Sequence, residues 1–165
     1  MIALETRYGF RIDIRVASHA DEPALADFFA AVTDEDRRFR FLSAVRHVSR
    51  NQLHDITAFD YHRHETFVAF APGGDEVVAA ATLAADRVGG TGEVAISMLR
   101  VHKGKGIGWT LLDHVAQEAK GWGVTRLQSI ESRDNRAAIA LEREMGFSAR
   151  AVEGDAALVL LERVF

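Results

Sequence analysis

Cysteine is absent from the 165 residues of this chain. Its absence excludes disulfides, zinc sites built on thiolates and catalysis through a cysteine acyl-enzyme. The chain also lacks an apolar run long enough to cross a bilayer, and its charged first residues are unlike a signal peptide. We therefore expect a reducing, cytoplasmic location and no membrane partner.

A basic stripe is missing as well. The formal net charge is −4, and the 20 lysines and arginines are scattered along the chain. Nucleic-acid binding needs clustered basic residues, so no nucleic-acid partner is expected. The densest charge cluster is DEDRRFR at 34–40, and its composition predicts a solvated helix face.

Hydrophobic residues make up 48% of the chain, enough for the core of one domain over 1–165. Alternation predicts a first strand at 8–17, with Phe10, Ile12, Ile14 and Val16 on one face. Periodicity predicts helices at 22–32, 35–46, 107–120 and 135–145, with a short helical turn at 50–58. Further strands are predicted at 65–71, 76–86, 93–101, 125–132, 147–152 and 156–163, with a turn at 87–92 and Gly121 as a helix C-cap.

This order of elements predicts an α/β or α+β fold. A mixed, mostly antiparallel sheet of about six to seven strands would be flanked by about four helices. The order is an antiparallel run of strands, then strand–helix–strand–helix, then strands.

A glycine-rich loop, KGKGIG at 103–108, lies between a predicted strand and a predicted helix. It is not a P-loop, because Leu99 lies five residues before Gly104 and Gly106 follows Lys105. It is not a dinucleotide fingerprint, because Trp109 takes the place of the last glycine. Glycines here would let backbone N–H groups at a helix N-terminus approach a pyrophosphate. A tight turn without a ligand is the alternative.

The loop and a second block resemble the GCN5-related N-acetyltransferases. Lys103, Gly106 and Gly108 stand in the signature Q/R-x-x-G-x-G/A, with lysine in place of Gln or Arg. The second block, NRAAIALEREMGF at 135–147, matches the family's asparagine followed by a helix ending in Gly-Phe. The resemblance covers about 10–163. It implies a single N-acetyltransferase domain that uses acetyl-CoA as cosubstrate.

The resemblance also implies a site. Glu93 would be the general base for the attacking amine, and an N–H near Leu99 would stabilise the oxyanion. The alternative for Glu93 is a glutamate in solvent at a strand edge, and the alternative for Asn135 is a plain N-cap. The implied cofactor-binding residues are Met98, Leu99, Arg100, Lys103, Gly104, Lys105, Gly106, Ile107, Gly108, Trp109, Thr110 and Asn135.

A narrower resemblance concerns the acceptor. Residues 39–70 are similar to the segment before the core of bacterial protein lysine acetyltransferases that act on acyl-CoA synthetases, and Glu93 starts the matching strand. This implies a protein lysine as acceptor. A small amine is a second hypothesis, and an acyl-CoA sensor without turnover is a third. A homodimer through the last strands is implied by the family alone.

Two further positions bear on the chemistry. Many members of the family have a tyrosine acid four residues before the glycine of Gly-Phe, and Glu142 stands there. An ionised glutamate would repel a thiolate, so we expect Glu142 at the surface or paired with Arg136 or Arg143, and an acid only if burial keeps it protonated. His62 and His64 offer two metal ligands without a third, so no metal site is predicted.

Overall fold

The computed structural model describes residues 1–86 and 90–165, so residues 87–89 of the predicted turn at 87–92 lie outside the described ranges. Over the described residues the chain forms five α-helices and one sheet of eight strands, in the order β1-β2-β3-β4-β5-β6-β8-β7. The strands are β1 (Ile2–Glu5), β2 (Arg11–Val16), β3 (His64–Phe70), β4 (Val77–Ala85), β5 (Thr91–Met98), β6 (Arg126–Ser132), β7 (Ser148–Val152) and β8 (Asp155–Val164). The helices are α1 (Glu22–Ala31), α2 (Asp34–Phe41), α3 (Arg50–Thr57), α4 (Ile107–Gly121) and α5 (Arg136–Glu144).

The predicted fold class is confirmed. β5 and β6 run parallel, and the other neighbouring strands of the sheet are antiparallel. Within the described ranges no helix is long and apolar enough to cross a membrane.

The N-terminal strands differ from the prediction. The segment predicted as one strand turns at Gly9, where φ is +85°, so that β1 pairs with β2 as a hairpin. Ile12 and Ile14 are buried, but Phe10 and Val16 lie at the ends of β2 and are 42% and 38% exposed. β1 could not be recognised, because its side chains show no alternating burial.

Two apolar clusters hold the helices to the two faces of the sheet. One joins the sheet to α4 through buried residues such as Leu111 and Val115. The other joins it to α1 and α3 through residues such as Phe28 and Ile56. Burial on both faces explains the near-continuous apolar runs of β3 and β4.

α2 is not the solvated helix that its charges predict. It ends at Phe41, because Leu42 adopts a left-handed φ of +54°. Arg37 is buried, and its guanidinium donates to the carbonyl oxygens of Phe29, Val32 and Val45 and pairs with Asp34. The cluster at 34–40 thus ties the end of α1 to the loop after α2.

α4 also ends later than predicted. It continues through Gly121, and the left-handed glycine that reverses the chain is Gly123, with φ of +89°. The sequence does not distinguish a glycine in the last turn of a helix, such as Gly121, from one that follows the helix, such as Gly123.

Candidate active site

The parallel strands separate after a short contact. β5 and β6 are paired only from Thr91–Arg126 to Glu93–Gln128, and beyond this point they diverge. The opening holds a cavity of about 410 Å³. Its walls are β5 from Val94 to Met98, the start of α4, the end of β6, one face of α5, and α2 across one side.

The glycine loop closes one end of this cavity. Gly104 and Gly106 have φ of +80° and +81°, which glycine adopts without strain. The first hydrogen bond of α4 runs from the Thr110 N–H to the Gly106 carbonyl over 3.1 Å. The preceding N–H groups at 107–109 therefore lack a partner within the helix, and free N–H groups at a helix N-terminus suit an anion.

The two lysines of the loop differ in position. Lys103 lines the cavity, and its Nζ lies 2.5 Å from Oδ2 of Asp36 on α2. Lys105 lies outside the cavity wall, with its Nζ 5.1 Å from the centre of the Phe10 ring and 3.3 Å from Nδ1 of His102. Burial, and the charge of Lys105, lower the pKa of His102.

The N–H of Leu99 itself is not free for the predicted oxyanion role. This N–H donates to the Val78 carbonyl over 3.0 Å and extends the ladder between β4 and β5. N–H groups alternate between the two edges of a strand, so those of Ile96 and Met98 point towards β6 and the cavity. Leu99 itself is buried in the core on the α1 side.

Other predicted cofactor residues divide into two groups. Arg100 is exposed in a 3₁₀ turn, and Thr110 lies beside the N-terminal strand, so neither belongs to the cavity wall. Asn135 caps α5 by accepting the Ala138 N–H over 3.4 Å, and it also lines the cavity. The remaining predicted residues in the wall are Met98, Lys103, Gly104, Gly106, Ile107, Gly108 and Trp109.

Glu93 lies where β5 and β6 part. It is exposed, pairs in register with Ala84 and Gln128, and is outside the cavity wall. Arg40 of α2, whose pKa the charge of Glu93 affects, lines the cavity. Burial lowers the pKa of Arg40, while the charges of Glu93 and Glu131 act in the opposite direction.

Two glutamates face each other in the cavity wall. Glu142 is 4% exposed, not at the surface as predicted, and its carboxyl lies near Glu131 of β6 and not on Arg136 or Arg143. Burial, reinforced by the charge of Glu131, raises the pKa of Glu142 to about 8. Burial also raises the pKa of Glu131, against hydrogen bonds that favour its charged form.

Two buried oxygens in the cavity wall have no hydrogen-bond partner within the described residues. They are Oγ of Ser97 and Oε2 of Glu142. Buried polar atoms are nearly always bonded, so both are suited to a polar ligand. Sequence reasoning missed Ser97, Glu131, Asp36 and Arg40, since none belongs to a motif. The one available signal was Glu131, four residues before Asn135 and at the end of a predicted strand.

The two histidines considered for a metal have separate partners. His62 stacks on Tyr61 with ring centres 3.8 Å apart, and Nδ1 of His64 donates to the Ala58 carbonyl over 2.6 Å.

A different group lies between α1 and α3. Nδ1 of His19 and of His54 are each 3.1 Å from Oε1 of Glu22. The two rings are parallel with centres 4.0 Å apart, so their lone pairs do not converge on one ion.

The sequence matches the acetyltransferase (GNAT) family over residues 28–147. It is 27% identical over 141 residues to the acetyltransferase PA5475 of Pseudomonas aeruginosa, covering 84% of this chain and 76% of that protein. The chain therefore belongs to the GNAT acetyltransferase family, whose members are acyltransferases.

Solved structures share the fold. The GNAT domain of S. lividans PAT superposes with a TM-score of 0.92 at 23% identity, covering 99% of this chain and 96% of that one. YncA of Salmonella typhimurium, a putative acetyltransferase solved with acetyl-CoA, superposes with a TM-score of 0.69 at 23% identity, covering 93% of each chain.

Proposed function

We propose that this protein transfers an acetyl group from acetyl-CoA directly to a primary amine, and that the acceptor is a protein lysine. The observation that carries the proposal is the cavity between the diverging strands β5 and β6, closed at one end by a glycine loop and a helix N-terminus. An extended thioester fits an exposed strand edge, and a pyrophosphate fits the loop.

The residues present suit acetyl-CoA. The N–H groups at 107–109 and the Lys103 ammonium would hold the pyrophosphate. The free strand edge at Ile96 and Met98 would bind the pantetheine arm, and the unpartnered Ser97 hydroxyl lies beside it. Acetyl-CoA supplies the activated acyl group. The chain would position it and exclude water from it.

Proton removal from the amine is assigned to Glu93. An amine is an ammonium at neutral pH and must lose a proton before it can attack. Glu93 is exposed at the point where the strands part, so its carboxylate would act on an amine entering from solvent, through water where needed.

A protein lysine is supported by the resemblance of residues 39–70 and by the position of Glu93 near solvent. A small cationic amine is the second candidate, because the carboxyl groups of Asp36, Glu131 and Glu142 all line the cavity. The expected homodimer and the cytoplasmic location stay predictions.

The test measures free thiol released from acetyl-CoA with an acyl-CoA synthetase or with a panel of small amines. Glu93→Gln should lower the rate about 100-fold or more, as loss of a general base does. Glu153→Gln removes an exposed carboxylate in the turn before β8 and should leave the rate unchanged.

The acceptor panel separates the hypotheses. Release with the synthetase alone supports a protein lysine, and release with small amines alone supports the second candidate. An unchanged rate in Glu93→Gln rejects the assigned base. Binding of CoA without release for any acceptor rejects the transferase in favour of a sensor, and no binding at all leaves the glycine loop as a plain turn.

A further inference from the structure

Glu142 is a buried acid that the steps above do not use. It lies in the last turn of α5, is 4% exposed, and contributes to the cavity wall. Its Oε2 has no hydrogen-bond partner in the described part of the chain. A carboxyl oxygen so placed can keep its proton and present it to a ligand in the cavity.

The contacts of its neighbour, Glu131, favour the ionised carboxylate of that residue. Oε1 of Glu131 accepts the Ser129 hydroxyl over 2.9 Å, and its Oε2 accepts the Asn135 amide over 3.2 Å. The charge of Arg40 also favours the Glu131 carboxylate. Two like charges this close are unfavourable, so the pair retains one proton, and the less hydrogen-bonded Glu142 holds it.

The other charged and titratable groups around the cavity are less suited to give up a proton there. Arg40 is a guanidinium, and Lys103 is paired with Asp36. Tyr8 is 60% exposed beside the glycine loop. Among the described residues, the charged and titratable groups that line the cavity with Glu142 are Arg7, Tyr8, Asp36, Arg40, Lys103 and Glu131.

We propose that Glu142 is the general acid that protonates the departing sulfur of coenzyme A, a role that rests on the function proposed above. The amine nitrogen forms the new C–N bond to the acetyl carbon, and the C–S electron pair leaves with sulfur. The carboxyl proton of Glu142 passes to that sulfur, giving the free thiol and a Glu142 carboxylate, which solvent reprotonates. The proton lost by the amine goes to Glu93.

The carboxyl group of Glu142 and the thiol of coenzyme A have similar proton affinities. Burial and Glu131 raise the pKa of Glu142 to about 8, and an ordinary alkyl thiol such as cysteine has a pKa of about 8.5. Transfer between groups of similar proton affinity needs little free energy, which is the condition under which a general acid is effective near neutral pH.

The kinetic test compares Glu142→Gln with the wild type, using an acceptor that the wild type modifies. Glutamine has the same size but no acidic proton, so transfer should fall about 100-fold while CoA affinity changes less than about two-fold. Glu142→Asp keeps a carboxyl group and should recover part of the rate. Glu153→Gln, at an exposed turn position, should match the wild type.

A pH series distinguishes an acid from a packing residue. The ratio of wild-type to Glu142→Gln rates cancels any pH dependence that the two proteins share. The ratio should be largest below about pH 8 and fall above it, because wild-type Glu142 then loses the proton that it donates. A purely structural role gives a ratio that does not change with pH.

Urea unfolding provides a readout that needs no turnover. Glu142 has a raised pKa in the folded protein, so its stabilising proton is fully held below the unfolded value of about 4.5 and is lost as pH rises through the folded value. The wild-type urea midpoint should therefore fall relative to that of Glu142→Gln between pH 5 and pH 9. Parallel midpoints would show that Glu142 is ionised throughout and would overturn the proposal.

The acid role and the proposed function fail in different ways. An active wild type with an equally active Glu142→Gln, or a rate ratio independent of pH, overturns the acid role alone. A wild type that releases no thiol with any acceptor rejects the proposed function, and the acid role with it.

Discussion

At the scale of single residues, the ion pair between Lys103 and Asp36 bears most directly on ligand binding. Lys103 occupies the cationic position of the glycine-loop signature, yet its ammonium lies 2.5 Å from the Asp36 carboxylate on α2. A pyrophosphate bound at the loop would take over this ammonium and meet the carboxylate at close range. Asp36 therefore competes with an anionic ligand for Lys103.

Removing this carboxylate should tighten CoA binding. Asp36→Asn keeps the size of the side chain and frees Lys103. Since partly exposed ion pairs contribute about 0.2–1 kcal/mol, the dissociation constant should fall about 1.4- to 5-fold. Calorimetry at low salt measures the dissociation constant for CoA. Added salt should reduce the difference in affinity between the wild type and Asp36→Asn.

The matched control is Glu35→Gln. It removes an exposed carboxylate one residue earlier on α2 and should leave the affinity unchanged. Equal or weaker binding by Asp36→Asn would contradict the competition.

Residues of the cavity wall were predictable where a motif contains them and otherwise not. The glycines of the loop and Asn135 were recognised, because their spacing to neighbouring elements is local. Glu142 was noticed as a departure from the family, but its burial against Glu131 depends on how α5 packs on β6. The sequence did not show that the N–H of Leu99 is bonded to β4, because strand register decides which edge of the strand an N–H faces.

At the scale of elements, the start of α4 depends on a left-handed turn. Gly106 is the N-cap with φ of +81°, and a Cβ there would lie 3.1 Å from Cδ2 of Tyr8 and 3.2 Å from Cβ of Thr6. Oγ1 of Thr6 also donates to the Lys105 carbonyl over 2.6 Å. The β1–β2 turn therefore packs directly on the loop that begins α4.

Gly104 and Gly106 form a matched pair for testing this contact. Gly104→Ala, at φ of +80° in open space, should cost only the left-handed strain of about 1–2 kcal/mol. Gly106→Ala meets the same strain and also the two close contacts, so it should cost more. The free energy of unfolding in urea measures both. Equal losses would show that the β1–β2 turn moves aside freely.

The elements themselves were mostly predictable, and the errors have local causes. Strands and helices with strong periodicity lie within a few residues of their predicted positions. β1 has no alternation to recognise, and α2 stops early because Leu42 turns left-handed and Arg37 folds back on the end of α1. A buried arginine and a solvated one look the same in sequence.

At the scale of the whole molecule, the site joins five elements of the fold. α2 spans the cavity from the first half of the chain, β5 and α4 form one side, and β6 with α5 forms the other. A ligand that fills this cavity contacts both sides of the divided sheet. Binding should therefore stabilise the domain as one unit.

Thermal unfolding should report this coupling. At a concentration 100 times its dissociation constant, CoA should raise the free energy of unfolding by about 2.7 kcal/mol. For a chain of this size, this corresponds to a rise in Tm of about 5–10 °C. Pantetheine at the same concentration, without the pyrophosphate that the loop would bind, should raise it less. No rise with millimolar CoA would contradict the proposed cosubstrate.

The sequence by itself determined the elements, the family and the glycine loop, because periodicity, capping and short motifs are encoded within a few residues of one another. Only the tertiary structure decided that β5 and β6 part after Glu93, that Leu99 is bonded to β4, and that Glu142 is buried beside Glu131. These facts depend on strand register and on packing between segments far apart in the chain. Register and burial determine which backbone groups are free and which carboxyl keeps its proton, and neither is encoded locally.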